Sequence, residues 1–280
     1  MFVMWLGERI TDRGIGNGIS IILFANIVAG FFQQAGYLYN ATFTSHNGGF
    51  NYVGLIISIV TVVILLGLLM LIVWMSDAER RIPIQYAKRV VGRKMFGGQN
   101  TNLPIKVNMS GVMGPVFASS IMMLPAFVQR FIQSDNLTVQ TIMGFFTYGT
   151  WSYIITYTVL IAFFAYFQTA VIFNSEETSN NLKNAGGYVP GVRPGEQTIQ
   201  YLDGVVSRTT AIGVAYLIVV CVLPIILNTH VGMPLMIGGT SVLIVAGVVL
   251  DTVNQVQSYL VAKQYSGVVK KAQKKGRFRG

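Results

Sequence analysis

The residue types that most often carry chemistry are few in this sequence and stand far apart. It has two histidines, His46 and His230, and a single cysteine, Cys221. No apolar segment holds paired carboxylates, and no Gly-rich phosphate loop, HExxH, CxxC or GxSxG pattern occurs. We therefore predict no catalytic residue, no metal ion and no cofactor. Cys221 stands within an apolar run, which indicates a small buried residue of a helix.

An arginine stands in a segment that is built to be stiff. Residues 190–195 read PGVRPG, so two prolines and two glycines surround Arg193. Proline fixes φ at about −65° and restricts the residue before it, while glycine permits sharp reversals. We expect a stiff hairpin tip within residues 176–203 that holds one guanidinium away from a membrane surface. A tight linker with an incidental arginine is the alternative.

The composition is that of a membrane protein. Charged residues make up 11% and hydrophobic residues 52% of the 280 residues, whereas about 25% of a soluble domain is charged. Six apolar runs each approach the roughly 20 residues that a helix needs to cross a bilayer. They lie at about 18–36, 52–75, 111–132, 151–173, 209–228 and 236–258. The sequence therefore predicts an all-α integral membrane protein, a polytopic bundle of about six transmembrane helices.

The basic residues are confined to alternate connections between these runs. The net charge is +10, and of the 20 lysines and arginines only Arg130 lies at the opposite edge. Lysine and arginine concentrate in the cytoplasmic loops of membrane proteins. We therefore expect a multi-pass protein with both ends of this chain in the cytoplasm.

This alternation divides the chain into membrane and cytoplasmic parts. The parts are residues 1–17, the end of a preceding helix and a cytoplasmic loop; 18–75, two transmembrane helices; 76–110, a basic cytoplasmic loop; 111–174, two transmembrane helices; 175–208, a cytoplasmic loop with Arg193; 209–260, two transmembrane helices; and 261–280, a basic cytoplasmic tail. The apolar start, which ends at Glu8 and Arg9, is interpreted as the end of an earlier helix, with a short interfacial anchor as the alternative. Glycines and Asn17 before Ile19 predict a helix start.

The first basic loop alternates apolar and basic residues. Valine, isoleucine and tyrosine interleave with lysine and arginine between Arg80 and Lys106, which predicts short strands in a hairpin with one basic face. Such a face suits nucleic acid, lipid head groups or an acidic protein. A solvated loop, basic only because of the membrane topology, is the alternative.

Two membrane segments contain unusual residues. Ser119, Ser120 and Pro125 interrupt the third apolar run, and such residues favour a helix that moves or lines a pathway. Asp251 lies inside the sixth run, where an acid is costly. A structural hydrogen bond and a proton or ion site are both open for Asp251.

Several motifs resemble the SecY family, the central subunit of the bacterial protein-conducting channel. They are GERITDRGIGNGISI at 7–21, RRIPIQYAKR at 80–89, LPIKVNMSGV at 103–112, FASSI at 117–121, NNLKNAGGYVPGVRPGEQT at 180–198 and GGTS at 238–241. The family has ten transmembrane helices in two inverted halves around an hourglass pore. The resemblance implies that this chain is part of that inverted-repeat translocon fold, from the end of the fourth helix through the tenth.

The resemblance also implies roles for named residues. The residues expected to dock the SecA motor or the ribosome are Arg80, Arg81, Lys88, Arg89, Arg93, Lys94, Lys106 and Arg193. The expected apolar pore ring consists of Ile19, Leu23, Val116 and Ile244, and the lateral gate helix carries Ser119, Ser120 and Pro125.

The implied partners are SecE, SecG, SecA, the ribosome and its RNA, signal sequences, nascent polypeptides, anionic lipids and the N-terminal helices of the same subunit. The implied location is the bacterial cytoplasmic membrane. We expect a non-catalytic channel component for secreted and membrane proteins. A secondary transporter of small solutes is the alternative, supported by Asp251 and the interrupted third run, and a membrane anchor for an RNA-binding complex is a third possibility.

Overall fold

The computed structural model describes residues 1–14, 16–43, 52–86, 89–91, 94–96, 101–131, 144–231 and 237–276. Its helices are α1 (Phe2–Arg13), α2 (Gly18–Phe43), α3 (Tyr52–Asp77), α4 (Met113–Phe131), α5 (Trp151–Ile172), α6 (Ser175–Asn184), α7 (Glu196–His230) and α8 (Gly239–Gly276). Its strands are β1 (Glu79–Tyr86), β2 (Arg89–Val91), β3 (Lys94–Phe96), β4 (Thr101–Lys106) and β5 (Gly187–Tyr188).

Each of the six predicted apolar runs coincides with a helix. Five of the described helices, α2, α3, α5, α7 and α8, are long and apolar enough to cross a membrane. The third run corresponds to α4, whose apolar part, Met113–Pro125, is shorter than the others. The prediction of an all-α, multi-pass membrane protein is therefore confirmed, with five full-length spans and one shorter apolar helix among the described residues.

The chain divides into two compact units, of which the first contains Met1–Ser58 and Ser241–Gly280. In this unit α1 packs against α2. The Thr11 hydroxyl accepts the N–H of Gly18 at 2.9 Å, and the Asn17 side chain accepts the N–H of Ile19 at 3.1 Å. These two bonds satisfy donors that a helix start leaves without an intrahelical partner. The predicted helix start at this point is therefore confirmed.

The second unit, Ile59–Thr240, contains α4, α5 and α7. Helix α5 packs against both α4 and α7. Cys221 is buried within α7, as its apolar surroundings predict. Helix α7 also closely approaches the start of α8, because a Cβ on Gly239 would lie 2.1 Å from the Val220 carbonyl oxygen.

Two polar segments have more regular structure than the sequence predicts. The 176–203 segment, predicted as a loop with a stiff hairpin tip, contains most of α6, β5 and the first two turns of α7. Asn174 caps the start of helix α6, and its side chain accepts the N–H groups of Glu176 and Glu177. Helix α8 likewise continues through the predicted tail to Gly276. Hydrophobicity detects the membrane part of a helix, and it does not detect the polar extension beyond the membrane.

Candidate partner-docking and channel surfaces

A small sheet joins the two predicted cytoplasmic loops. Strand β1 pairs antiparallel with β4 on one side, with Ile82 opposite Leu103. On its other side β1 pairs with β5, with Gln85 opposite Tyr188. The Tyr188 hydroxyl also donates to the Gln85 side-chain oxygen at 3.3 Å. The predicted hairpin in the first loop is confirmed, and the strand from the second loop extends it.

The two loops also share one hydrophobic core, which we call the loop core. It consists of the buried side chains Ile82, Ile105, Val189 and Leu202. The partly buried residues packed against it are Leu103, Met109, Phe173, Val192, Val205 and Val206. Burial of each aliphatic side chain contributes about 1.5–3 kcal/mol. The loops are therefore one packed module, because neither one buries these side chains alone.

The turn before Arg193 is fixed by the loop core and by backbone geometry. The Val192 N–H donates to the Val189 carbonyl at 3.1 Å, and Gly191 has φ of +83°. This pattern, with Pro190 at the second position and glycine at the third, is that of a type II turn. Val189 is buried and Val192 packs on the loop core. The turn thus holds the following residue, Arg193, at the surface.

Four of the predicted docking residues have described side chains, and all four are exposed. They are Arg80, Arg81, Lys106 and Arg193. The Arg81 guanidinium pairs with the Glu79 carboxylate at 2.6 Å. The strand register places Glu79 opposite Lys106. The structure therefore brings three of the basic residues to the β1–β4 hairpin, and Arg193 to the turn that follows β5.

The other predicted docking residues are placed less completely. Lys88 and Arg93 lie outside the described residues. Arg89 and Lys94 belong to β2 and β3, which pair with each other in a second antiparallel hairpin.

The predicted pore residues are distributed over the two units. Ile19, Leu23 and Ile244 belong to the first unit, and Val116 belongs to the second. Ile19 is 49% exposed and Leu23 is 48% exposed. These two residues stand one helical turn apart on α2, so both side chains lie on the same face of that helix. Their assignment to a pore ring stays a prediction.

The serines of α4 are satisfied within their own helix. Ser119 and Ser120 both donate to the Val116 carbonyl, at 2.9 Å and 2.8 Å. Pro125 lies inside the helix, where it cannot donate a hydrogen bond to the carbonyl of Ile121. A serine that bonds back to its own helix often accompanies a bend, and the proline weakens the next turn. The gate role of α4 stays a prediction.

The structure describes the surroundings of Asp251 and of His230 separately. Asp251 is exposed on α8, and its carboxylate has no hydrogen bond with the described residues, so the predicted structural hydrogen bond is not found there. His230 is the last residue of α7, and its ring stacks on Trp151, with 4.8 Å between the ring centroids. Among the described residues no group of three or more His, Cys, Asp or Glu side chains is placed to hold a metal ion.

Two polar contacts connect elements that are distant in the sequence. The Asn108 amide donates to the Tyr216 hydroxyl and so connects the end of β4 to α7. The Ser175 hydroxyl donates to the Asp203 carboxylate and connects α6 to α7. No local pattern predicts either contact, because each depends on how the helices pack. Both contacts join α7 to the segments that precede it in the chain.

The comparisons with known proteins agree with this architecture. The family model of SecY matches residues 1–253. The protein translocase subunit SecY of Rickettsia typhi is 43% identical over 271 residues, which are 97% of this chain and 61% of that protein. That of Pseudomonas aeruginosa is 43% identical over 279 residues, 99% of this chain and 62% of that protein. That of Escherichia coli K12 is 40% identical over 278 residues, which are 99% of this chain and 61% of that protein.

This chain therefore spans about three fifths of the length of the curated relatives it matches. The solved structures that share its fold include the following two. One, which concerns the plug domain of the SecY protein, has a TM-score of 0.60 at 17% identity and covers 93% of this chain and 64% of that chain. The other, of a protein-conducting channel, has a TM-score of 0.56 at 14% identity. It covers 93% of this chain and 63% of that chain. With the family model matched over most of its residues, this chain belongs to the SecY family.

Proposed function

We propose that this chain is part of the pore-forming subunit of a Sec translocon in the bacterial cytoplasmic membrane. In that role it conducts unfolded secretory proteins across the membrane and passes signal and transmembrane segments into it. The observation that carries this proposal is the SecY family match over residues 1–253. The relatives are longer, so the channel also needs the helices that correspond to their unmatched part, together with SecE and SecG. In this proposal the chain catalyses no reaction itself, and partners drive the transport.

The packed module of the two loops is the proposed docking surface for the SecA motor or the ribosome. Arg80, Arg81, Lys106 and Arg193 are exposed on it, and the loop core beneath them is buried. A rigid support reduces the entropy that a basic side chain loses when a partner binds. Basic residues also attract phosphates of RNA and anionic lipids. In this arrangement the module and both chain ends lie on the cytoplasmic side.

The proposed pore ring and gate follow the same family assignment. Branched apolar side chains at Ile19, Leu23, Val116 and Ile244 would resist ions by dewetting and yield to a passing chain. Helix α4 would part to admit signal sequences. Its short apolar length and its internal Pro125 support a helix that moves.

Charge reversal at Arg193 tests the docking role. In cells depleted of the resident subunit, the complete subunit with Arg193→Glu should insert into the membrane normally and lose most export of a signal-bearing reporter. Lys183→Glu is the matched control, because Lys183 is also exposed, in α6 of the same module. Equal export by both variants and the unmodified protein would contradict the docking role.

Co-expression separates the channel from a secondary transporter. This chain would be produced with and without a segment that supplies the unmatched helices of its relatives. Co-purification of the two halves, followed by export of the reporter, is the expected result. Uptake of a solute by this chain alone, abolished by Asp251→Asn, would show the transporter instead.

A further inference from the structure

The carbonyl groups on both sides of Pro194 each accept a hydrogen bond from a buried hydroxyl. The Thr198 hydroxyl donates to the Arg193 carbonyl at 2.9 Å. The Ser179 hydroxyl, from α6, donates to the Gly195 carbonyl at 3.3 Å. Thr198 is 3% exposed and Ser179 is 2% exposed. These hydroxyls therefore connect the backbone beside the exposed arginine to two helices.

Thr198 makes a contact that ordinary helix capping does not explain. Helix α7 has Gly195 as its N-cap, with no side-chain cap bond. The N–H of Thr198 already donates to the Gly195 carbonyl at 3.0 Å. The hydroxyl reaches beyond that cap to a residue outside the helix, Arg193. Its effect is therefore on the position of the arginine and not on the start of the helix.

The other side of Arg193 is held independently. Val192 packs on the loop core, and its N–H closes the turn to Val189 at 3.1 Å. The segment from Val192 to Thr198 is thus anchored at its start by apolar packing and at its end by the threonine hydroxyl.

We propose that Thr198 is a positioning residue, which fixes the direction in which Arg193 presents its guanidinium to a cytoplasmic partner. This inference rests on the docking role proposed for Arg193. Without the hydroxyl, the backbone at Arg193 would sample several orientations, and a partner would have to select one of them.

The test uses the complete channel complex in proteoliposomes with purified SecA. Thr198→Val keeps the shape of the side chain and removes the hydroxyl, and Thr198→Ser keeps the hydroxyl. For Thr198→Val we expect the half-saturating SecA concentration to rise by about threefold to tenfold, the size that one lost hydrogen bond gives. The maximal translocation rate should change little, and Thr198→Ser should resemble the unmodified complex.

Thr209→Val is the matched control. Thr209 is a buried threonine of the same helix, and its hydroxyl donates to the Val205 carbonyl at 2.8 Å. This variant should leave the half-saturating SecA concentration unchanged. A rise equal to that of Thr198→Val would overturn the inference, because both changes would then act through α7 in general.

A double variant distinguishes positioning from a general loss of structure. If Thr198 acts through Arg193, Thr198→Val should have no further effect on half-saturation in an Arg193→Ala background. An additive effect would overturn the inference. If Thr198→Val leaves the half-saturating SecA concentration unchanged while Arg193→Ala raises it, the inference is overturned and the docking role stays intact. A normal response of Arg193→Ala would overturn the docking role and the inference together.

Discussion

The backbone around Arg193 depends on glycines with positive φ. Gly191 has φ of +83° and Gly195 has φ of +112°. A residue with a Cβ is disfavoured in the left-handed region by about 1–2 kcal/mol. At Gly191 a Cβ would meet no atom within 4 Å. The requirement for glycine there is therefore conformational and not steric, which makes the position a clean test of the turn.

Gly191→Ala should destabilise the purified complex by about 1 kcal/mol, because alanine must adopt the same positive φ. The matched control is Gly204→Ala. Gly204 lies inside α7, where a Cβ also meets no atom within 4 Å, and alanine there should stabilise by about 0.5–1 kcal/mol. Thermal unfolding in detergent measures both changes. If both variants change the stability in the same direction, the turn geometry is contradicted.

The residues of the turn were predictable to different extents. Pro190 and Gly191 carry strong local preferences, and a type II turn is present over residues 189–192. The role of Thr198 was not predictable, because its contact with the Arg193 carbonyl depends on how the chain enters α7. Lone hydroxyls in a polar segment carry no local pattern that shows their acceptor.

At the level of elements, the loop core couples two segments that are distant in the sequence. Leu202, on α7, is fully buried in it beside Ile82 of β1 and Val189. Leu202→Ala should cost about 2–5 kcal/mol, which is the usual range for a buried leucine. Hydrogen exchange should become faster in both β1 and the turn at 189–192.

Tyr201→Ala is the control for that prediction. Tyr201 is adjacent in the sequence and 40% exposed, so its truncation should change stability by no more than about 0.5 kcal/mol. Faster exchange confined to only one of the two loops in the Leu202→Ala variant would show that they do not share a core.

The contact between α7 and the start of α8 allows a second test with adjacent residues. A Cβ on Gly239 would lie 2.1 Å from the Val220 carbonyl oxygen, whereas a Cβ on Gly238 would have its nearest atom at 3.7 Å. Gly239→Ala should therefore destabilise the complex by about 1–3 kcal/mol, the usual cost of overpacking. Gly238→Ala should be tolerated. Thermal unfolding that is equal for both variants would rule out this close approach.

The elements themselves were largely predictable, because burial in a bilayer demands long apolar runs. All six runs correspond to helices, and the alternation around Ile82 and Ile84 predicts β1. The helical structure of 175–184 and the early start of α7 at Glu196 were not predicted. Both are polar, so only capping at Asn174 and tertiary packing indicate them.

At the scale of the whole molecule, charge and apolar length together determine the proposed topology. In the proposed topology, basic residues on alternate connections would put the packed loop module on the cytoplasmic side. The assignment of a pore ring rests only on the family resemblance and stays a prediction. Ile19 and Leu23 have the composition and spacing of ordinary helix residues, and no local property marks them as lining a pore.

The seal of the proposed channel depends on the bulk of these side chains. A narrow ring of branched apolar residues excludes water, and ions do not cross a dewetted constriction. In the complete channel complex, replacing both Ile19 and Leu23 with alanine should widen the ring on the α2 side. The resting ion conductance in a planar bilayer should therefore rise, while the half-saturating SecA concentration should not change, because the proposed docking surface is the loop module. The control is Phe32→Ala, which truncates a larger side chain on the same helix that is 76% exposed. If Phe32→Ala raises conductance as much as the double variant does, or if the double variant remains sealed, the pore-facing assignment of α2 is wrong.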